Sequence, residues 1–245
     1  MRMLSRDVGG MPLWALTLVV VAGIVIAAFL GSGATVRGET PQYTPPGDAA
    51  APTIPAPMPL AVFIGDSYTQ GAGGGGVRWP TLVGDTLGWD VDNLGLGGTG
   101  YIKTSDENGC GRPYCGTYGQ TIDEIVGSPR YIVVAGGRND IGLPTADVAA
   151  AADALFGELR ERYPDAMIFV MAPWFDDDPP PPSAGEFAQA IQAAALENHV
   201  VYLDSGQPLF GRPDLISADG VHPNAAGYQA LAAAVTGVLD PQLAP

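Results

Sequence analysis

Five short apolar runs, separated by stretches with the composition of helices, constrain this chain more than any other feature. They are Leu60–Gly65, Trp89–Leu94, Tyr131–Ala135, Met167–Met171 and Val200–Leu203. Runs this short, most of them rich in β-branched residues and bounded by turn formers, suit strands buried on both faces. The stretches between and after them, Pro80–Leu87, Thr117–Gly127, Ala146–Tyr163, Ser183–Asn198 and Pro223–Leu239, read as helices. Leu155 and Leu159 stand at i, i+4 spacing in the longest of the internal ones, which gives it an apolar stripe to lay on a sheet. Strand alternating with helix predicts an α/β fold built on a doubly wound parallel sheet.

In such sheets ligands bind beyond the carboxyl ends of the strands, so the residues just after each run carry the chemistry. After the first run comes Gly65-Asp66-Ser67, a serine at a strand exit. Serine is a weak nucleophile and needs a base, a group that orients the base, and donors for an oxyanion. Near the end, Asp219-Gly220-Val221-His222 sets a carboxylate three residues before an imidazole, and Pro223 suits the first position of the following helix. After the second run lies Asn93-Leu94-Gly95-Leu96-Gly97-Gly98-Thr99-Gly100, and after the third Gly136-Gly137-Arg138-Asn139-Asp140.

These blocks, in this order from about residue 60 onward, resemble those of the SGNH hydrolases, the GDS(L) esterase and lipase superfamily. The resemblance implies a flavodoxin-like three-layer α/β/α fold with a five-stranded parallel sheet. It implies Ser67 as nucleophile, His222 as base and Asp219 as its orienting partner. The oxyanion donors it implies are the Ser67 N–H, a glycine N–H of the second block and the Asn139 amide, the glycine being Gly98 with Gly97 as alternative. The expected reaction is hydrolysis of carboxylic esters, lipid or carbohydrate O-acyl esters of the cell envelope. An acyltransferase with the same triad, or a non-catalytic glycan-binding module on the same fold, are the alternatives.

Other signals are tested against this reading. Gly95-x-Gly97-x-x-Gly100 has the spacing of a dinucleotide-binding loop, but Tyr101 to Gly109 is polar and loop-like where that motif requires a helix, so no cofactor is expected. Cys110 and Cys115 are the only cysteines and predict a local disulfide in an exported chain; with two histidines, His199 and His222, no metal site is expected. His199 falls at the opposite sheet edge and reads as structural. The Gly71–Gly76 run reads either as room for substrate or as a surface loop, and Trp79 as pocket wall or core. The net charge of −15 belongs to the part beyond residue 59, since three arginines before it offset Asp7, Glu39 and Asp48. A surface this acidic disfavours nucleic acid. Asp176-Asp177-Asp178, followed by four prolines, reads as a solvated loop that shapes access to the site.

The first residues differ in kind. Pro12–Leu30 is 19 residues without charge, preceded by Arg2 and Arg6. That length is enough for a membrane-spanning helix and the arginines favour a cytoplasmic N-terminus. Residues 1–34 are therefore expected to be a signal anchor, with cleavage after Ala34 and secretion as the alternative. Residues 35–59, rich in proline and alanine, form a linker, and 60–245 the hydrolase domain.

Overall fold

The computed structural model describes residues 56–243, together with two two-residue strands near the N-terminus, Asp7–Val8 and Met11–Pro12, paired antiparallel. Apart from Pro12, the expected membrane span to Leu30 lies outside the described residues, as does the linker up to residue 55. Among the described residues no helix is long and apolar enough to cross a membrane.

From Leu60 onward the expected architecture is present. The five strands are β1 (Leu60–Gly65), β2 (Asp90–Asn93), β3 (Tyr131–Ala135), β4 (Met167–Met171) and β5 (Val201–Leu203). They pair in parallel in the order β2-β1-β3-β4-β5. This is the doubly wound order in which the chain adds strands first to one side of β1 and then to the other, so the switch falls between β1 and β3, the place where such sheets open a crevice. Gly65 pairs with Ala135, Ala135 with Met171 and Met171 with Leu203, so the carboxyl ends are level and Ser67 and Gly137 emerge side by side.

The alternation of side chains along the central strands divides the core into two layers. Val62, Ile64, Ile132, Val134, Ile168 and Val170 face α5 (Thr145–Arg162) and α6 (Ala184–Glu197). Phe63, Val133, Phe169 and Met171 face α2 (Trp79–Leu87) and α7 (Ala225–Leu243). Trp79 belongs to this second layer: it is wholly buried, with its ring edge-on to Phe63 at 5.2 Å and to Trp174 at 5.3 Å. It is core, not pocket wall.

Two expected helices differ. Thr117–Gly127 is a single helical turn, α4 (Tyr118–Thr121), continued by a 3-10 turn over Ile122–Glu124. Thr117 and Gln120 cap its start reciprocally, but Ile125 is extended and Gly127 has φ +87°, which ends the helix there. The last helix starts at Ala225 rather than at Pro223. Asn224 caps it, its Oδ1 accepting the N–H groups of Ala226 and Gly227 at 2.9 and 3.0 Å, while Pro223 pairs with Ile216 across a short bridge.

Candidate active site

β1 ends where contact requires it. A Cβ at Gly65 would lie 2.1 Å from the Ala135 carbonyl and 2.3 Å from Thr69 Oγ1. The chain then turns through Asp66, whose Oδ1 accepts the Tyr68 N–H at 2.9 Å and so caps a one-turn helix, α1 (Ser67–Gln70). Ser67 opens that turn, 9% exposed, and its own N–H falls among the helix-start donors that have no partner within the helix. Asp66 is buried, and burial pushes its carboxyl up to about 6 although the Tyr68 N–H and the Arg138 charge pull the other way. Its second oxygen lies 3.5 Å from the Tyr118 hydroxyl, which in turn accepts the Gly137 N–H at 3.1 Å.

The imidazole arrives on a tight turn held by one carboxylate. Asp219 Oδ1 accepts from Ser217 Oγ and from the N–H groups of Val221 and His222, at 2.8, 2.9 and 2.9 Å. Its Oδ2 lies 2.7 Å from His222 Nδ1. Burial raises the Asp219 carboxyl, but the His222 backbone and ring contacts outweigh it and hold the group well below the usual carboxylate range. With Nδ1 committed to a carboxylate, Nε2 is the nitrogen left to act as base. Among the described residues no hydrogen bond joins His222 to Ser67 Oγ, a contact that in free enzymes often tightens only with substrate.

What brings the two loops together is packing that sequence reading passed over. The Tyr68 hydroxyl donates to the Val221 carbonyl at 2.7 Å, directly before His222, and the two rings lie 6.0 Å apart. Arg138 donates to the same hydroxyl, lies over the Tyr68 ring at 4.9 Å, and pairs with Asp176 Oδ2 at 2.9 Å. Both members of that ion pair are largely buried, with side chains 18% and 19% exposed. Asp176 is therefore not a solvated carboxylate; it ties the loop after β4 to the site. A single arginine beside Asn139, opposite three carboxylates in an acidic domain, was the available signal. The Gly71–Gly76 run is explained in part: Gly73, with φ +77°, leaves the room in which a Cβ would lie 2.8 Å from Ser217 Oγ and 2.9 Å from His222 Cβ.

The glycines of the second block have packing reasons as well. A Cβ at Gly95 would lie 2.4 Å from Gln70 N, at Gly97 2.2 Å from the Gly109 carbonyl, and at Gly100 2.2 Å from Asp140 Oδ2. Each meets protein where a dinucleotide loop meets pyrophosphate. After Gly100 the Asp140 carboxylate, wholly buried, accepts the N–H groups of Tyr101, Ile102 and Lys103 at 2.8, 3.2 and 3.0 Å. No helix opens there. The next one, α3 (Glu107–Cys110), is four residues long.

Asn139 and Gly98, expected as oxyanion donors, line one cavity of about 530 Å³. Asn139 Nδ2 donates to the Thr99 carbonyl at 2.8 Å, which orients the amide and leaves its second N–H. Gly98 has φ +76°. The structure thus joins His222 to Asp219, seats Ser67 against the histidine loop through Tyr68, and brings Gly98 and Asn139 to one cavity, whose lining includes neither Ser67 nor His222. Cys110 and Cys115 form the expected disulfide. Among the described residues no group of three or more His, Cys, Asp or Glu side chains gathers as for a metal.

A model of the GDSL-like lipase/acylhydrolase family matches residues 63–230. A GDSL lipase of Mycobacterium tuberculosis is 31% identical over 199 residues, 76% of this chain and 83% of that protein. Among solved structures, a Lactobacillus plantarum protein superimposes with a TM-score of 0.60 at 20% identity, over 77% of this chain and 100% of its own. A carbohydrate esterase family 2 enzyme with a carbohydrate binding domain, from Corynascus thermopiles (Myceliophthora fergusii), gives a TM-score of 0.56 at 24% identity, over 78% of this chain and 69% of its own. At these identities the two structures share the fold.

Proposed function

The chain belongs to the GDSL-like lipase/acylhydrolase family, within the SGNH hydrolase superfamily, and from that premise we propose that it hydrolyses carboxylic esters through an acyl-enzyme on Ser67. The observation that carries the reading is the 2.7 Å pair between His222 Nδ1 and Asp219 Oδ2, on a turn that Tyr68 docks beside the serine. Ser67 Oγ attacks the ester carbonyl while His222 Nε2 takes its proton, and Asp219 keeps the imidazole oriented and stabilises its charge. The tetrahedral oxyanion is met by the N–H groups of Ser67 and Gly98 and by the Asn139 amide, Gly97 being the alternative glycine. Collapse breaks the bond to the alcohol, which leaves with the proton from His222. Water then repeats the sequence on the acyl-enzyme and frees the acid.

The substrate is an O-acyl ester of the cell envelope, on a lipid or a carbohydrate. The domain works outside the cytoplasmic membrane, tethered by the span after Arg2 and Arg6 and the proline-rich linker. The Cys110–Cys115 bond supports an oxidising compartment. An organophosphonate probe tests the mechanism. It should label Ser67 in the wild type and not in Ser67→Ala, and Ser67→Ala, His222→Ala and the double variant should lose similar amounts of ester hydrolysis, because residues that act as a unit do not add. Comparable turnover by purified Ser67→Ala would refute it.

A further inference from the structure

Gly97 and Gly98, one of which is the proposed oxyanion donor, commit neither N–H to a hydrogen bond among the described residues. An N–H kept free for an oxyanion has no bond of its own to hold it, so its place comes from the packing around it. We infer that the disulfide loop from Ser105 to Cys115 is the outer brace of that peptide, and that Cys110 and Cys115 are positioning residues for ester hydrolysis, acting through the two glycines. The inference rests on the ester-hydrolase reading and gives the bridge a part in it.

The inner support of the second glycine block is the serine turn. The Leu96 N–H donates to the Gly65 carbonyl at 2.9 Å, two residues before Ser67. A Cβ at Gly95 would lie 2.4 Å from Gln70 N, and one at Gly97 2.8 Å from Gln70 Oε1, so the block rests directly on α1. Asn93 ties the two together: its Nδ2 donates to the Thr69 carbonyl at 2.8 Å and its Oδ1 accepts the Gly95 N–H at 2.9 Å. On the other side of the glycines, the Thr99 hydroxyl donates to the Leu96 carbonyl at 2.6 Å and the Thr99 carbonyl accepts from Asn139. Between Leu96 and Thr99 the Gly97–Gly98 peptide is held, among the described residues, by contact alone.

That contact comes from the disulfide loop. A Cβ at Gly97 would lie 2.2 Å from the Gly109 carbonyl, and one at Gly98 2.6 Å from Ser105 Oγ. Gly109 and Ser105 thus press on the peptide from outside, and the bridge fixes both. Cys110 follows Gly109 and is bonded to Cys115, while Cys115 pairs with Ser105 through two N–H···O bonds of 2.9 Å. Leu96, Cys110 and Cys115 form a buried apolar cluster of their own, apart from the two layers of the core. Leu96 therefore meets the end of β1 with its N–H and the bridge with its side chain. Cysteines only five residues apart contribute little to global stability by closing their loop, since that contribution grows with the logarithm of loop length. The effect of the bond is local: without it the Gly109 turn and Ser105 swing outward and the donor follows them. A displacement of an ångström at a reacting centre can lower the rate about a hundredfold.

The test uses p-nitrophenyl acetate and a p-nitrophenyl phosphonate, whose adduct with Ser67 carries the oxyanion. In Cys110→Ala/Cys115→Ala, kcat should fall roughly ten- to a hundredfold with KM within about twofold, and Ser67 labelling should slow by a similar factor. The pH at which kcat/KM is half-maximal should not move, because Asp219 and His222 are untouched. Val235→Ala opens space in the core layer under α7; it should lower the melting temperature yet leave kcat as it is. Leu96→Ala keeps the bond and removes its contact with the block. It should show the same fall in kcat at constant KM, and adding it to the cysteine pair should lower kcat little further, since the three side chains act as one unit. If the cysteine pair does not fold, Leu96→Ala decides alone. Unchanged kcat in either variant, or a raised KM at normal kcat, overturns the brace. If phosphonate leaves wild-type Ser67 unlabelled, the ester-hydrolase reading falls and the brace with it; labelling at equal rates with and without the bridge sinks the brace alone.

Discussion

At the scale of single residues, Asp66 shows how a motif position hides its physics. Its carboxyl is buried beside Ser67, the proposed nucleophile, and pushed up to about 6 from an ordinary value of 3.8. The folded chain therefore holds a proton near pH 5 that the unfolded chain has lost, and the contribution of this group to stability declines as pH rises from 4 through 6. A shift of this size corresponds to about 3 kcal/mol at neutral pH. Asp66→Asn keeps the Oδ1 acceptor for Tyr68 and removes the charge. Its melting temperature should exceed that of wild type at pH 7, with the gap closing toward pH 4; a gap independent of pH would argue against a titrating Asp66. The sequence displayed Ser67, Asp219 and His222 because their spacing is local and their chemistry scarce. It could not display the state of Asp66, which depends on its burial and on what three distant segments, at Tyr118, at Arg138 to Asp140 and at His222, place around it. The roles of Asp140 and Gly100 were hidden for the same reason: a carboxylate against three N–H groups and a missing Cβ is a tertiary fact.

At the scale of elements, the link from α1 through Arg138 to the loop after β4 and the turn before His222 makes a prediction of its own. Tyr68→Phe leaves the ring and its contact with the guanidinium but deletes the hydroxyl that joins Arg138 to the Val221 carbonyl. Loss of one such part-buried hydrogen-bonding group typically amounts to about 1–2 kcal/mol. With His222 as the base proposed for both halves of the reaction, kcat should fall roughly five- to thirtyfold with KM little changed. Steady-state kinetics alongside thermal melts would check it; a raised KM with normal kcat would place Tyr68 in substrate binding instead. The elements themselves were legible to within a residue or two wherever a run was buried on both faces, as in β1, β3 and β4. The segment from Thr117 to Gly127 was misread as one helix because Ile122 and Ile125 imitate a helical stripe, although the core takes them from a 3-10 turn and an extended residue. Asp176 was misread because charge and proline content described its neighbours, not its partner.

At the scale of the whole molecule, the balance of charge and the two N-terminal arginines bear on where the enzyme is found. If the span from Pro12 to Leu30 is retained, the protein should stay with membranes through a high-salt wash, which screens surface charge, and leave with detergent. Recovery in the culture fluid with Thr35 at its N-terminus would show cleavage and leave the chemistry untouched. If the span is instead retained, an extended linker, at ~3.1 Å per residue, would set the radius within which the domain meets its esters. The segment between the second glycine block and α4 runs from Gly100 to Tyr118, and those ends are joined by a hydrogen bond of 2.9 Å from the Tyr118 N–H to the Gly100 carbonyl. A loop whose ends already meet can change length cheaply, since each doubling adds only about 0.6 kcal/mol of closure entropy. Tyr101 is core and cannot be exchanged, but Asp106 to Tyr114, closed off by the paired Ser105 and Cys115, is in that sense a cassette, and a longer or shorter one grafted between those two residues should leave the core beneath it unchanged.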